Sequence, residues 1–73
     1  MRITYNRQAN ALYLELTDEQ LTPSRTTIPT ETPADIEAFI APDWKDDRLV
    51  GIEVLDADVT LPPDLLRQAE ITD

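Results

Sequence analysis

Ala11-Leu12-Tyr13-Leu14-Glu15-Leu16-Thr17 is the stretch that decides the fold. Leu12, Leu14 and Leu16 recur at every second residue, and Ala11, Tyr13, Glu15 and Thr17 take the alternate places. That is the period of a half-buried strand. Ala, Leu and Glu also favour helices. Strict alternation, with another alternating run close upstream, selects a β-hairpin instead. The upstream run is Arg2-Ile3-Thr4-Tyr5. Arg7-Gln8-Ala9-Asn10 breaks the pattern and reads as the turn, with Asn6 and Asn10 at its ends, where amide side chains bond nearby backbone.

Downstream, residues 21–33 hold Pro23, Pro29 and Pro33. Each proline removes a ladder donor, so this stretch cannot be a central strand. Arg25-Thr26-Thr27-Ile28 reads as an edge strand within it, with an ordered loop as the alternative. Asp35-Ile36-Glu37-Ala38-Phe39-Ile40-Ala41 alternates again and is expected to close at Pro42. Asp43-Trp44-Lys45-Asp46-Asp47 then reads as a turn. Arg48-Leu49-Val50-Gly51-Ile52-Glu53-Val54-Leu55 is rich in β-branched residues and reads as a strand. Gly51, the only Gly of the chain, points to a bulge or a close approach of another backbone. Pro62-Pro63, with Asp64 behind them, suit a helix start. Leu61, Leu65, Leu66 and Ala69 form an apolar stripe, so a helix is expected over about 62–70, with a frayed end.

The expected fold is α+β: an antiparallel β-meander of four to five strands with one C-terminal helix packed on it, in one small domain of 1–73. The core face is expected to hold Ile3, Tyr5, Leu12, Leu14, Leu16, Ile36, Ala38, Ile40, Val50, Ile52, Val54, Leu65 and Leu66. The opposite face carries Tyr13, Phe39, Leu49 and Leu55, which is very apolar for a surface left to water.

Composition excludes whole classes. The 73 residues include six Lys and Arg, fifteen Asp and Glu, no His and no Cys, for a net charge of −9. Disulfides, zinc sites of Cys and His, and triads built on His or Cys are impossible. A polyanion repels such a chain, so no nucleic-acid partner is expected. No apolar run approaches the ~18 residues of a membrane span, so no membrane partner is expected. The opening residues lack a signal-peptide core, and the chain suits the cytoplasm. With one Gly there is no phosphate loop, and Ser24, the only Ser, has no His beside it. Neither catalytic nor cofactor-binding nor metal-binding residues are expected, and the chain reads as a non-enzyme.

Tyr5-Asn6-Arg7-Gln8-Ala9-Asn10-Ala11-Leu12-Tyr13 resembles the Tyr-Asp-x-x-Ala-Asp-Ala-Leu-Tyr opening of the small prokaryotic family called domain of unknown function 2283. Arg48-Leu49-Val50-Gly51-Ile52-Glu53-Val54-Leu55-Asp56-Ala57 resembles that family's closing strand. The two matches frame residues 1–58. Two common Asp positions of the family are Asn6 and Asn10 here, and its acidic-Gly turn is replaced by Asp43-Trp44-Lys45-Asp46-Asp47. The resemblance implies a fold unit with no assigned activity. It also implies a small partner protein, in some members encoded beside toxin-like genes.

Two surfaces are candidates for contact. Tyr13, Phe39, Trp44, Leu49 and Leu55 form the candidate interface, with Trp44 either an exposed anchor or folded back over the sheet edge. Asp43, Asp46 and Asp47 form a candidate acidic docking surface; they lie in the half of the chain, residues 35–73, that carries a net −8. A purely solubilising role for those acids is the bland alternative. Tyr5 and Tyr13, on neighbouring strands, read as packing with a polar rim, the alternative being a hydroxyl binding pair. The expected function is a protein-interaction module acting as a homodimer. The alternative is an acidic, antitoxin-like inhibitor that masks a basic protein partner.

Overall fold

The computed structural model describes residues 1–19, 26–28 and 39–73. The opening hairpin forms as the alternation requires. Strand β1 (Arg2–Asn6) pairs antiparallel with β2 (Ala11–Glu15), Tyr5 opposite Leu12 and Thr4 opposite Tyr13. Asn6 Oδ1 accepts from the Ala9 N–H at 3.0 Å and so closes the turn. Asn10 sits at φ 52°, a left-handed position that Asn tolerates well.

Edge strand β3 is only Thr26–Thr27; the neighbouring Arg25 lies outside the described residues, as do Ile36 and Ala38 of the expected core. The next strand differs from expectation. Strand β4 covers Phe39–Lys45 and runs straight through Pro42. The reason lies in which side of the strand lost its donor. The Pro42 carbonyl accepts from the Ile28 N–H at 3.1 Å, on the side of β3. In an antiparallel pair the N and C=O of one residue point the same way. The missing N–H of Pro42 therefore faces the short edge strand, and the ladder to the central neighbour is untouched.

That neighbour is β5 (Arg48–Leu55), paired antiparallel with both β4 and β2. The β4–β5 turn is thus only Asp46 and Asp47, at φ 52° and 62°. Positive φ at both central residues is the geometry of a type I′ hairpin turn, whose twist matches the flanking strands. Asp43, Trp44 and Lys45, expected in the turn, belong to the strand. Asp43 pairs with Gly51 but Trp44 with Leu49, so Val50 is an extra residue that bulges β5.

Beyond β5 come two short helices, α1 (Ala57–Thr60) and α2 (Pro63–Gln68), where one helix to about residue 70 was expected. The end of the chain does not fray. Strand β6 (Glu70–Ile71) lies parallel to β1, and the Thr72 N–H donates to the Tyr5 carbonyl at 3.1 Å. Among the described residues the result is one mixed six-stranded sheet in the order β3-β4-β5-β2-β1-β6, with two short helices. Strand β2 neighbours β1 and β5, so the sheet is not the simple meander that short connections suggested. It remains an α+β arrangement.

The registers sort the sheet into two faces. Leu12, Leu14, Ile40, Ile52 and Val54 share one, together with Tyr5. Leu12 and Val54 are buried there, and Val50 is buried at the bulge. The second face holds the row Ala11, Leu55 and Phe39, and the row Glu15, Gly51, Asp43 and Thr27. Ala41 and Asp43 are buried on it, and Ala57 is buried at the first turn of α1.

Candidate functional site

The most constrained group of side chains lies on the second face. Asp43 is 2% exposed and is the one buried charged residue among the described residues. Its Oδ2 accepts from Tyr13 Oη at 2.5 Å, and its Oδ1 accepts from Thr27 Oγ1. A buried carboxylate is tolerated only where donors replace its water. Four strands bring them together: Tyr13 from β2, Gly51 from β5, Asp43 from β4 and Thr27 from β3. Gly51 makes the reach possible. A Cβ there would fall 2.6 Å from Tyr13 Cζ and 2.9 Å from Cε1, and closer still to Oη. The lone Gly is present because the Tyr13 ring crosses over its backbone, and its φ is unexceptional. Chemically the group is a pin that ties four strands at one register.

This placement corrects the acidic docking surface. Asp43 is buried and bonded inward, so only Asp46 and Asp47 present carboxylates to solvent at that hairpin. Sequence reasoning missed Asp43 as a core residue. The signal was present in the alternation of Ala41 with Asp43, but Pro42 was read as the end of the strand.

The two tyrosines point to opposite faces, so they form no binding pair. Tyr5 Oη donates to Asn10 Oδ1 at 2.8 Å. That oxygen also accepts from the Asp58 backbone N–H at 3.1 Å, and Asn10 Nδ2 donates to Asp58 Oδ1 at 2.6 Å. The Ala57 N–H donates to the Asn10 carbonyl at 3.1 Å. Asn10 thereby ties the start of α1 to the β1–β2 turn, using a donor that an Asp would not supply.

At the sheet's other edge, Arg2 grips Glu70 twice, Nε to Oε2 at 2.9 Å and Nη2 to Oε1 at 3.2 Å. Arg2 Nη1 also lies 3.6 Å from Glu15. The Arg2 hydrogen bond, and then its charge, holds the Glu70 carboxyl below its ordinary value. Desolvation pushes the Asp73 carboxyl up, but bonds from the Arg7 backbone and guanidinium outweigh it and leave the group lowered.

The five candidate interface residues do not gather in one patch. Tyr13 is half-buried and engaged with Asp43. Phe39 and Leu55 are cross-strand partners near the start of α1, with Phe39 38% exposed. Trp44 and Leu49 are also partners, each 38% exposed, beside the Asp46–Asp47 turn. Six residues of β5 separate Leu49 from Leu55, or roughly 20 Å. Ile28 and Leu16, two further exposed apolar residues, belong to the Trp44 end: Ile28 lines a shallow depression with Trp44, and Leu16 lines one with Val50.

Among the described residues, no group of three or more Asp or Glu is placed to hold a metal ion. None of their helices is long and apolar enough to cross a membrane. Fold and side-chain placement thus define a small mixed-sheet protein with a four-strand polar pin on one face and Leu12 and Val54 buried on the other. The chain belongs to a family described as protein of unknown function (DUF2283), whose model matches residues 2–57 of the 73. The match ends at Ala57, so most of α1, all of α2 and β6 lie beyond it. Neither a curated protein nor a solved structure matches the chain.

Proposed function

We propose that the protein is a non-enzymatic interaction module that works as a homodimer. One observation carries this reading: Trp44 and Leu49, cross-strand partners at 38% each, and Ile28 beside Trp44 at 54%, stay in contact with water. Exposed apolar groups that cluster on regular structure mark contact surfaces more often than solvent faces. A domain of this size keeps only about 3–5 kcal/mol of stability from its own core, and association adds to it by mass action. The high net charge keeps the particle soluble and confines contact to surfaces where charge is locally balanced. Light scattering across a dilution series tests it. A mass that rises from one chain to two with concentration is expected. A single-chain mass at every concentration overturns the reading.

The second reading is an acidic inhibitor of a basic protein. It is favoured by a separate observation, the exposed carboxylates of Asp56, Asp58 and Asp64 around the two helices. A docking surface of that kind loses affinity steeply with salt, because the Debye length falls from ~10 Å at 0.1 M to ~3 Å at 1 M.

A further inference from the structure

The β4–β5 hairpin end differs from the rest of this acidic surface. Its tip reads Lys45-Asp46-Asp47-Arg48, two cations and two anions, so it is locally neutral on a chain of net charge −9. Behind the tip lie the apolar residues Trp44, Leu49, Ile28 and Leu16, all exposed. An apolar centre with a charged rim is the anatomy of a protein contact surface, and Trp is the residue most enriched among energetic anchors. The tip is also held in shape: the two-residue turn has both Asp residues in left-handed conformation. A pre-shaped surface loses less entropy on docking.

We infer that this hairpin end is a self-complementary docking surface whose occupant is a second copy of the same chain. The inference rests on the homodimer reading and says where the contact lies. In a two-fold contact each copy offers the same patch, so the cations of one tip can meet the anions of the other. Charge selects this occupant. A basic partner would be repelled by Lys45 and Arg48 and drawn to the acids near the helices. A nucleic acid or an anionic membrane brings no cations to meet Asp46 and Asp47, whereas a second copy brings Lys45 and Arg48. Among the described residues Lys45 pairs with the highly exposed Glu19 at 3.8 Å, and such pairs contribute little.

A charge swap tests the inference. Lys45→Glu/Arg48→Glu makes the tip wholly acidic. Asp46→Asn/Asp47→Gly leaves it wholly basic and installs the turn sequence best suited to type I′ geometry. Circular dichroism checks that both variants fold. Light scattering is then read between ~1 µM and ~1 mM, the range of ordinary weak association. Each variant alone should dimerise at least ten-fold more weakly than wild type, and mixing the two should restore a dimer. Wild type that dimerises while both variants dimerise unchanged overturns the location and leaves the homodimer reading standing. Wild type that never dimerises overturns both. Should Lys45→Glu/Arg48→Glu not fold, Lys45→Gln/Arg48→Gln takes its place. An unchanged dissociation constant for that pair would also overturn the location.

Discussion

Replacing Gly51 by Ala tests the four-strand pin at its tightest point. The added methyl would overlap Tyr13 Oη and lie 2.6 Å from Cζ. Something must give, and the ring is the movable party. Shifting it stretches the 2.5 Å bond to Asp43, a carboxylate only 2% exposed. Losing a hydrogen bond to a buried charged group costs about 1.5–3 kcal/mol. Overpacking adds about 1–3 kcal/mol, and removing Gly from a strand returns about 0.5–1 kcal/mol. A net loss of about 1.5–5.5 kcal/mol, about 3.5 kcal/mol at the midpoints, follows when these ranges are combined. That nearly exhausts the ~3–5 kcal/mol expected of so small a domain. Urea titration followed by Trp44 fluorescence measures the loss, with sulfate present to keep weak variants folded. Tyr13→Phe, which keeps the ring and removes the hydroxyl, should cost about 1.5–3 kcal/mol by itself. In a Tyr13→Val background the obstruction is gone, so Gly51→Ala should become neutral or stabilising, giving a coupling well above ~0.5 kcal/mol. A Gly51→Ala protein as stable as wild type, or a cycle that closes additively, would refute the pin.

Asn10→Asp should destabilise by about 1 kcal/mol at pH 7, because a donor to Asp58 becomes a second carboxylate. The deficit against wild type should shrink as pH falls through the carboxylate range; equal loss at pH 7 and pH 3.5 would remove charge as the cause. Asp46→Asn/Asp47→Gly should stabilise the folded chain by about 0.5–1 kcal/mol, since Gly occupies left-handed φ freely; chemical denaturation reads it. Glu70 is held below its ordinary pKa by Arg2. The stabilisation it gives is therefore complete above the unfolded Glu value of ~4.3 and is lost as pH falls through the lower folded value. Both groups are solvent-exposed, so Glu70→Gln should speed amide exchange in the Tyr5–Thr72 region only modestly, and high salt should erase the difference.

How much of this was legible depended on where a single residue type dominates. The β1–β2 hairpin was readable because Leu12, Leu14 and Leu16 alternate without interruption. Strand β5 was readable from its β-branched run. Strand β4 was not, because Pro42 looks like a terminator until one knows that its missing N–H faces the short β3 edge. With the boundary misplaced, Asp43 looked like a turn residue, and its burial could not be read. The chain end was misread for a different reason. A two-residue parallel strand has no period of its own; it exists because Arg2 and the Tyr5 carbonyl offer partners that lie 67–68 positions away in sequence. Gly51 was flagged by its mere presence; the bulge lies beside it, at Val50, and the close approach comes from the Tyr13 side chain rather than from another backbone.

The departures from the family pattern also acquire a physical reason. An Asp at position 10 could accept from Tyr5 and from the Asp58 backbone, but it could not donate to the Asp58 carboxylate. Asp58 lies just past the residues that the family model matches. The Asn therefore fits a neighbour that the helical segment supplies. The same division of labour separates folding from contact. The residues that hold the sheet in register, Tyr13, Thr27, Asp43 and Gly51, lie on one face or within it. Trp44 and Leu49 gather beyond the bulge at the exposed end of the hairpin. Because these two stay partly in water, their burial contributes only part of what a core residue would give to folding. Their apolar area is left over for a second surface, and changes at the tip should alter association while leaving the pin intact.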